Sequence, residues 1–310
     1  MKNITFGPIV VAILFLSLSQ APAQTEALQW KLEKDDRFKA TLVQTSQAKT
    51  KVNSRETSID NSTTLVMDWK VIGRGNDGTA TIEQSIVSIK LAVANPAIPA
   101  QAVKFDSAAK DDVVGNYSKS SKILLRQIKP LIGLKFIVEM LPTGEIQNVV
   151  LPPETATAIN QLPETVRLRK LFSKQGINEI LGDSSIVFPT QGLSPDESWT
   201  VNKQVDTPFG KFTHRRIYTL GEPKTIEKNK STTINITAAM IANPEATSLD
   251  STLQGKLVSF AGSGELSFDI DGGFLKTSSF SNQLKTERPY REKNIETIVN
   301  NTLQLNVTKK

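Results

Sequence analysis

The chain has 310 residues and no cysteine, which excludes a disulfide framework, a thiolate metal site and a lipid-modified cysteine. Its formal net charge is +6. This mild excess is spread along the chain, so we interpret it as a solvated surface and expect no nucleic-acid partner. The only histidine is His214, which excludes a multi-histidine zinc site. We therefore name no catalytic residue, no metal ligand and no cofactor.

The first 23 residues have the three parts of a secretory signal peptide. Lys2 supplies a positive charge, residues 9–16 form an apolar run, and Ala21 and Ala23 are the small residues that a signal peptidase reads. We predict cleavage after Ala23 and a secreted or periplasmic location. The apolar run is shorter than the roughly 20 residues that span a bilayer, so we expect no transmembrane anchor after cleavage.

Residues 24–150 are predicted to form a first β-rich part with one helix, at 119–131. A sequence at 73–78 matches G-x-G-x-x-G, but a strand pattern follows it, so we interpret it as a hairpin turn. Residues 45–61 are polar and fit either a solvent-facing strand edge or a mobile loop. A change of apolar parity predicts a bulge at 84–86. An opening pair of strands with a polar turn at 34–36 is expected at 29–44, and further strands are expected at 65–72, 79–93, 134–140 and 145–150.

Residues 151–192 are predicted to be a helical connector, and 193–310 a second β-rich part. Asp269 and Asp271 match the start of a calcium loop, but the closing glutamate is absent at the required spacing, so a β-turn is favoured. The fold class that follows is α+β and β-dominated, with curved antiparallel sheets on which the central helical segment packs. Two degenerate β-rich repeats are an open alternative.

The predicted helix supplies the candidate ligand-binding residues, which are Leu124, Leu125, Ile128, Leu131 and Ile132. These apolar residues share one side of the helix and would line a cavity beneath a half-open sheet. The alternative is an ordinary core between helix and sheet.

His214 lies in a predicted strand, where it shares a face with Phe212 and Arg216 and lies opposite Arg215 and Ile217. We expect a structural or solvent-facing role for this histidine. Paired carboxylates for a hydrolase would be a spatial arrangement that the sequence does not display.

Several short motifs, taken in their order, resemble a family of uncharacterised secreted bacterial proteins known only as a domain of unknown function. The motifs are Trp30-Lys-Leu, Asp36-Arg-Phe38, Asp77-Gly78-Thr-Ala, Phe105-Asp-Ser107, Gly133-Leu-Lys-Phe136, Thr143-Gly-Glu-Ile146, Phe188-Pro189 and Asp196-Glu-Ser-Trp199. Where such families have Gly-Asp before the aromatic residue, this chain has Asp35-Asp36 and Asp196-Glu197. The resemblance implies secretion and a β-rich fold, and it implies no reaction.

The leading functional hypothesis is a secreted or periplasmic, non-catalytic binding or envelope-associated protein. Its specific form is a carrier for an apolar small molecule held between sheet and helices, and an anionic envelope polymer is an alternative partner. The other hypotheses are a hydrolase that uses acidic residues on an envelope or extracellular polymer, and a purely structural envelope component.

Overall fold

A computed structural model describes residues 27–99, 102–162, 169, 172–207, 209–226, 229–242, 255–290 and 293–310. Within these residues the strands form one antiparallel sheet. They are β1 (Arg37–Val52), β2 (Arg55–Arg74), β3 (Ala80–Ala94), β4 (Val103–Asp106), β5 (Lys135–Met140), β6 (Ile146–Val150), β7 (Ser198–Thr207), β8 (Gly210–Leu220), β9 (Lys224–Ile226), β10 (Asn229–Ala242), β11 (Lys256–Asp269), β12 (Phe274–Tyr290) and β13 (Lys293–Lys309).

The helices lie between β4 and β7 in the chain. They are α1 (Asp111–Gly115), α2 (Lys119–Ile128), α3 (Pro153–Asn160) and α4 (Lys174–Ser184). A 3-10 turn at Lys129–Leu131 follows α2, so the helix predicted at 119–131 changes its geometry over its last residues. Pro130 accounts for the change, because proline has no N–H to continue the α-helical hydrogen bonds.

The strand order joins the two predicted β-rich parts into one sheet. It runs β6-β5-β3-β2-β1-β13-β12-β11-β10-β8-β7, while β4 pairs with β3 and β9 with β10. The link between the parts is the β1–β13 ladder, which extends from Phe38 opposite Lys309 to Val52 opposite Ile295. The fold is therefore the predicted β-dominated α+β class.

Both edge regions of the sheet contact the same short segment of the chain, which shows that the sheet is curved. The backbone N–H of Phe188 donates to the carbonyl of Thr143, in the turn before β6, at 2.8 Å. The indole Nε1 of Trp199, on β7, donates to the carbonyl of Val187 at 2.8 Å. The chain from β6 to β7 thus crosses the inner face, where α4 contacts β6, β12 and β13.

One end of the curved sheet is closed by the residues that precede β1. The backbone N–H of Trp30 donates to Pro142 at 2.7 Å, and that of Lys31 donates to Gly273 at 2.8 Å. The Trp30 ring also packs edge-on against Phe268, with centroids 5.8 Å apart. We call this region the closed end.

The polar residues 45–61 belong to β1, the turn at Asn53 and β2, in the middle of the sheet. Those in β1 have strand neighbours on both sides, which satisfy their backbone groups whatever the side chains are. Those of β2 before Asp60 pair with β1 alone. Cross-strand bonds such as Gln47 to Asp60, at 3.1 Å, add to the ladder. The apolar alternation fails here because neither face of this part is covered by a core.

The smaller predictions of turns and irregularities can also be placed. Gly73–Gly78 is the turn between β2 and β3, as interpreted, with the Gly78 N–H bonded to the Gly75 carbonyl at 3.0 Å. The register shift in β3 falls at Val87, one residue after the predicted bulge. Asp269 is the last residue of β11, directly before the turn to β12, and it pairs with Lys276 at 3.2 Å. Ala21, Ala23 and part of the predicted connector lie outside the described residues.

Candidate functional site

A cavity of about 670 Å³ lies between the inner face of the sheet and α4. Its walls come from β1, from β7 and β8, from β10 to β13, and from the first turns of α4. The lining residues are Gln44, Gln175, Glu179, Lys203, Gln204, Val205, Asp206, Thr207, Phe209, His214, Arg216, Met240, Leu257, Phe260, Phe280, Asn282, Leu284, Asn301, Thr302 and Leu303.

Strand β8 presents alternate side chains to the inner face, as its sequence predicts. Phe212 and Arg216 are buried, whereas Arg215 and Ile217 are exposed. His214 lies on the inner face and is half-buried. Its ring meets the Phe260 ring edge-on, with centroids 5.4 Å apart. The predicted sharing of one face by these residues is confirmed.

Arg216 is held by contacts on two sides. Its guanidinium lies over the Phe280 ring at 5.2 Å from the centroid, in the geometry of a cation–π interaction. Its Nη1 donates to the carbonyl of Gly182, in α4, at 3.3 Å. The side chain is only 7% exposed. These contacts connect β8, β12 and α4 and fix the position of a buried positive charge.

The Phe280 ring owes its place to two glycines on β11. A Cβ on Gly262 would lie 2.6 Å from Cζ of Phe280, closer than carbon atoms approach. A Cβ on Gly264 would overlap the backbone carbonyl of Ser279. The absence of both side chains leaves room for the ring against β11 and beneath Arg216.

Three positively charged or ionisable side chains lie together at one side of the cavity. In the strand register His214 pairs with Lys203 on β7, and Arg216 pairs with Val201 on the next inward row. Lys203 is exposed at the rim. We call Lys203, His214 and Arg216 the basic wall.

The remaining inner surface is mainly apolar, and its residues are left half-buried although they face inward. We call this surface the apolar floor; it consists of Met240, Leu257, Phe260, Phe280, Leu284 and Leu303. Phe280 differs from the others in being buried, with 5% of its surface exposed. Beside the floor lies a small polar strip, in which Asn301 Nδ2 donates to Asn282 Oδ1 at 3.0 Å.

Helix α4 covers the cavity with polar residues and packs its apolar residues into the core. Ile177 and Leu181 pack into the core, while Gln175 and Glu179 line the cavity. Gln175 Nε2 donates to Glu179 Oε1 at 2.8 Å, as expected for neighbours four residues apart on a helix. Ser173 caps the helix by accepting the Gly176 N–H at 3.0 Å.

The five candidate residues of α2 and the following turn lie elsewhere. Ile128 and Leu131 are fully buried, and Leu124, Leu125 and Ile132 pack partly buried against the same core. None of the five is among the residues that line the cavity. Their role in ligand binding stays a prediction.

Three described side chains have pKa values displaced from the ordinary ones. The amide and hydroxyl of Thr79 hold the pKa of Asp77 below its ordinary value. Hydrogen bonds within one exposed ion-pair cluster raise the pKa of Lys285, bonded to Glu296, and lower that of Glu287, bonded to Lys256. These groups all lie away from the lining. Among the described residues, no three acidic, histidine or cysteine side chains converge as a metal site would require.

Structures with an overall similarity to the chain have low identity to it. A lipovitellin structure, titled for its lipid–protein interactions, is 10% identical with a TM-score of 0.46, and covers 89% of this chain and 26% of its own. The chain thus spans about a quarter of that protein's length. The COG4313 outer membrane channel from Pseudomonas putida F1 is 7% identical with a TM-score of 0.23, over 93% and 99% of the two chains. The translocator domain of the autotransporter NalP from Neisseria meningitidis is 8% identical with a TM-score of 0.20, over 87% and 88%.

No curated protein matches the chain by sequence. Over the part of the chain that is described, none of the helices has the length and apolar character needed to cross a membrane. A family model, described as a family of unknown function (DUF6263), matches residues 77–275, which is more than half of the chain. The resemblance to an uncharacterised family is therefore confirmed, and the chain belongs to the family of unknown function DUF6263.

Proposed function

We propose that this chain is a non-catalytic binding protein of the secreted or periplasmic compartment, and that its cavity holds an apolar small molecule between the sheet and α4. The observation that carries the proposal is the cavity itself. Its volume of about 670 Å³ lies within the roughly 300–1,000 Å³ of sites that bury small ligands.

The half-burial of the apolar floor supports the same function. Protein interiors are normally close-packed, so inward leucines such as Leu284 and Leu303 would be covered by neighbouring side chains in a core with no other role. Here they face unfilled space instead. An apolar ligand would remove this surface from water at about 25 cal/mol for each Å² that it covers.

The acidic residues at the cavity favour binding over hydrolysis. A glycosidase needs two carboxylates that face each other across the substrate. Glu179 accepts a hydrogen bond from Gln175 on α4. Asp206 is exposed and pairs in register with Lys211, on strand positions of outward parity. The placement of the two carboxylates, on α4 and at an outward position of β7, supports binding rather than a facing catalytic pair.

The test is a titration of the purified protein with Nile red, an uncharged apolar dye. We expect saturable binding with one site per chain. Met240→Trp fills part of the cavity and should weaken dye binding by at least about tenfold, a change in binding free energy of roughly 1.4 kcal/mol. Mass spectrometry of an organic extract of the same protein should identify a co-purified apolar compound.

The matched control is Ile241→Trp. Ile241 is the next residue of β10, points to the opposite face and is 40% exposed, so its replacement should leave dye binding within about twofold of the unmodified protein. The proposal fails if the unmodified protein binds no dye and yields no extracted compound. It also fails if the two tryptophan variants bind the dye equally well.

A further inference from the structure

Charge is distributed unevenly within the cavity. The basic wall places Lys203, His214 and Arg216 on β7 and β8, while the apolar floor extends across β10 to β13. Of the acidic lining residues, Glu179 is engaged with Gln175, and Asp206 lies at an outward position opposite Lys211. Among the described lining residues, the inward positions of β7 and β8 therefore carry basic side chains and no acidic one.

Arg216 is arranged to bind a planar anion. A guanidinium presents several N–H donors in a fixed fork that matches a carboxylate or a phosphate. The Phe280 ring and the Gly182 carbonyl fix this guanidinium in position. A positioned cation binds an anion at a lower entropic cost than a mobile one does.

The volume of the cavity limits the apolar part of the ligand. At roughly 30 Å³ for each non-hydrogen atom, the share of a water molecule in the liquid, about 670 Å³ accommodates on the order of 20 such atoms. A single alkyl chain with a small head group has about this number. A lipid with two chains has about twice as many.

We infer that the ligand is a single-chain amphiphile with an anionic head group, either a carboxylate or a phosphate monoester. The head group lies against the basic wall, and the chain lies along the apolar floor. This inference rests on the proposed function, because it names the ligand class of the same cavity.

The experiment compares three ligands that share a sixteen-carbon chain and differ in the head group: palmitate, hexadecyl phosphate and hexadecanol. Each competes with bound Nile red at about pH 8, where the carboxylate is ionised. At least one anionic ligand should displace the dye at a concentration about tenfold lower than hexadecanol requires, as expected for a charge-assisted bond. The anion that displaces the dye at the lower concentration identifies the head group.

The variants are Arg216→Met and its neighbour Arg215→Met, which is exposed on the opposite face. Arg216→Met should remove most of the preference for the anion and leave hexadecanol within about twofold. Arg215→Met should change the affinity for neither the anion nor hexadecanol. If circular dichroism shows that Arg216→Met does not fold, Lys203→Gln is used instead to test the contribution of the basic wall to anion binding. That rim residue is exposed, and its loss should weaken anion binding about two- to fivefold.

The outcomes separate the inference from the proposed function. If Nile red binds but hexadecanol competes as well as the anions do, or no ligand displaces the dye, the inferred head group is wrong and the apolar cavity stands. Anion preference that survives every folded basic-wall variant also overturns the inference. If Nile red does not bind at all, the proposed function itself is wrong.

Discussion

Gly144 occupies the tightest contact of the closed end. Its φ of 90° lies in the region that residues with a Cβ rarely adopt. A Cβ at this position would also overlap the Ile186 carbonyl and the Trp30 indole nitrogen. Both groups belong to the hydrogen bond that joins the residues before β1 to the segment crossing the inner face.

Gly144→Ala should therefore lower the free energy of unfolding by at least about 3 kcal/mol, since it combines backbone strain with a lost hydrogen bond and a clash. Gly133→Ala is the matched control. Gly133 has a similar φ of 85°, but a Cβ there would meet nothing within 4 Å, so the cost should be about 1–2 kcal/mol. Urea denaturation of both variants measures the difference, and equal losses would contradict the role of the clash.

At the residue scale, sequence patterns predict orientation better than they predict contact. The period of two along β8 is enough to place His214 and Arg216 on one face. It does not bring Arg216 to Phe280, because the two meet only through the pairing of β8, β10, β11 and β12. The need for Gly262 and Gly264 likewise arises only when the Phe280 ring lies over them.

Helix α4 is the element that separates the cavity from an open sheet face. Its first turn carries Gln175 and begins at the Ser173 cap, and Glu179 lies in the second turn. The cap satisfies one of the free N–H groups at the start of the helix. The position of this turn therefore affects the cavity directly.

Ser173→Ala should lower the free energy of unfolding by about 1 kcal/mol and also weaken Nile red binding, because the turn that covers the cavity becomes less ordered. Ser118→Ala provides the comparison. Ser118 caps α2 by accepting the Ser121 N–H at 3.2 Å, and α2 contributes no lining residue. Thermal unfolding should show similar losses for both variants, and only the α4 variant should lose affinity. Equal dye binding by the two would argue against α4 as the cover.

At the element scale, the apolar pattern predicts strands well where they meet the core and poorly beyond it. The closed-end half of β1 alternates as Phe38, Ala40 and Leu42, all buried. Its other half continues as a strand on Thr, Gln and Lys residues, which have no apolar period. Those residues stay extended because both neighbouring strands continue beside them, and that information lies in other parts of the chain.

The same limit applies to α2. An amphipathic pattern shows which side of a helix is buried, and it does so correctly for Ile128 and Leu131. It does not show whether that side faces a filled core or a cavity. The distinction depends on the volume enclosed by all the strands together, so the candidate site could not be located from the helix alone.

For the whole molecule, the prediction of export concerns residues outside the described part. Cleavage after Ala23 should leave a mature chain that begins at Gln24, because small residues at positions 21 and 23 fit the peptidase. Intact-mass measurement of the protein secreted by a bacterial host checks this. Ala23→Leu should block processing, whereas Gln24→Ser should not, and a mature protein that retains residues 1–23 would contradict the prediction.

The β1–β13 ladder has a consequence for how the molecule comes to be folded. Residues 38 and 309 are direct partners, so the middle of the sheet can form only after nearly the whole chain has emerged. Contacts between residues this far apart in the sequence form slowly during folding. Until then β1 and β12 each present an unpaired edge, which is the state in which chains associate wrongly. The cavity therefore cannot form, and no ligand can be enclosed, before β13 has paired with β1 and β12.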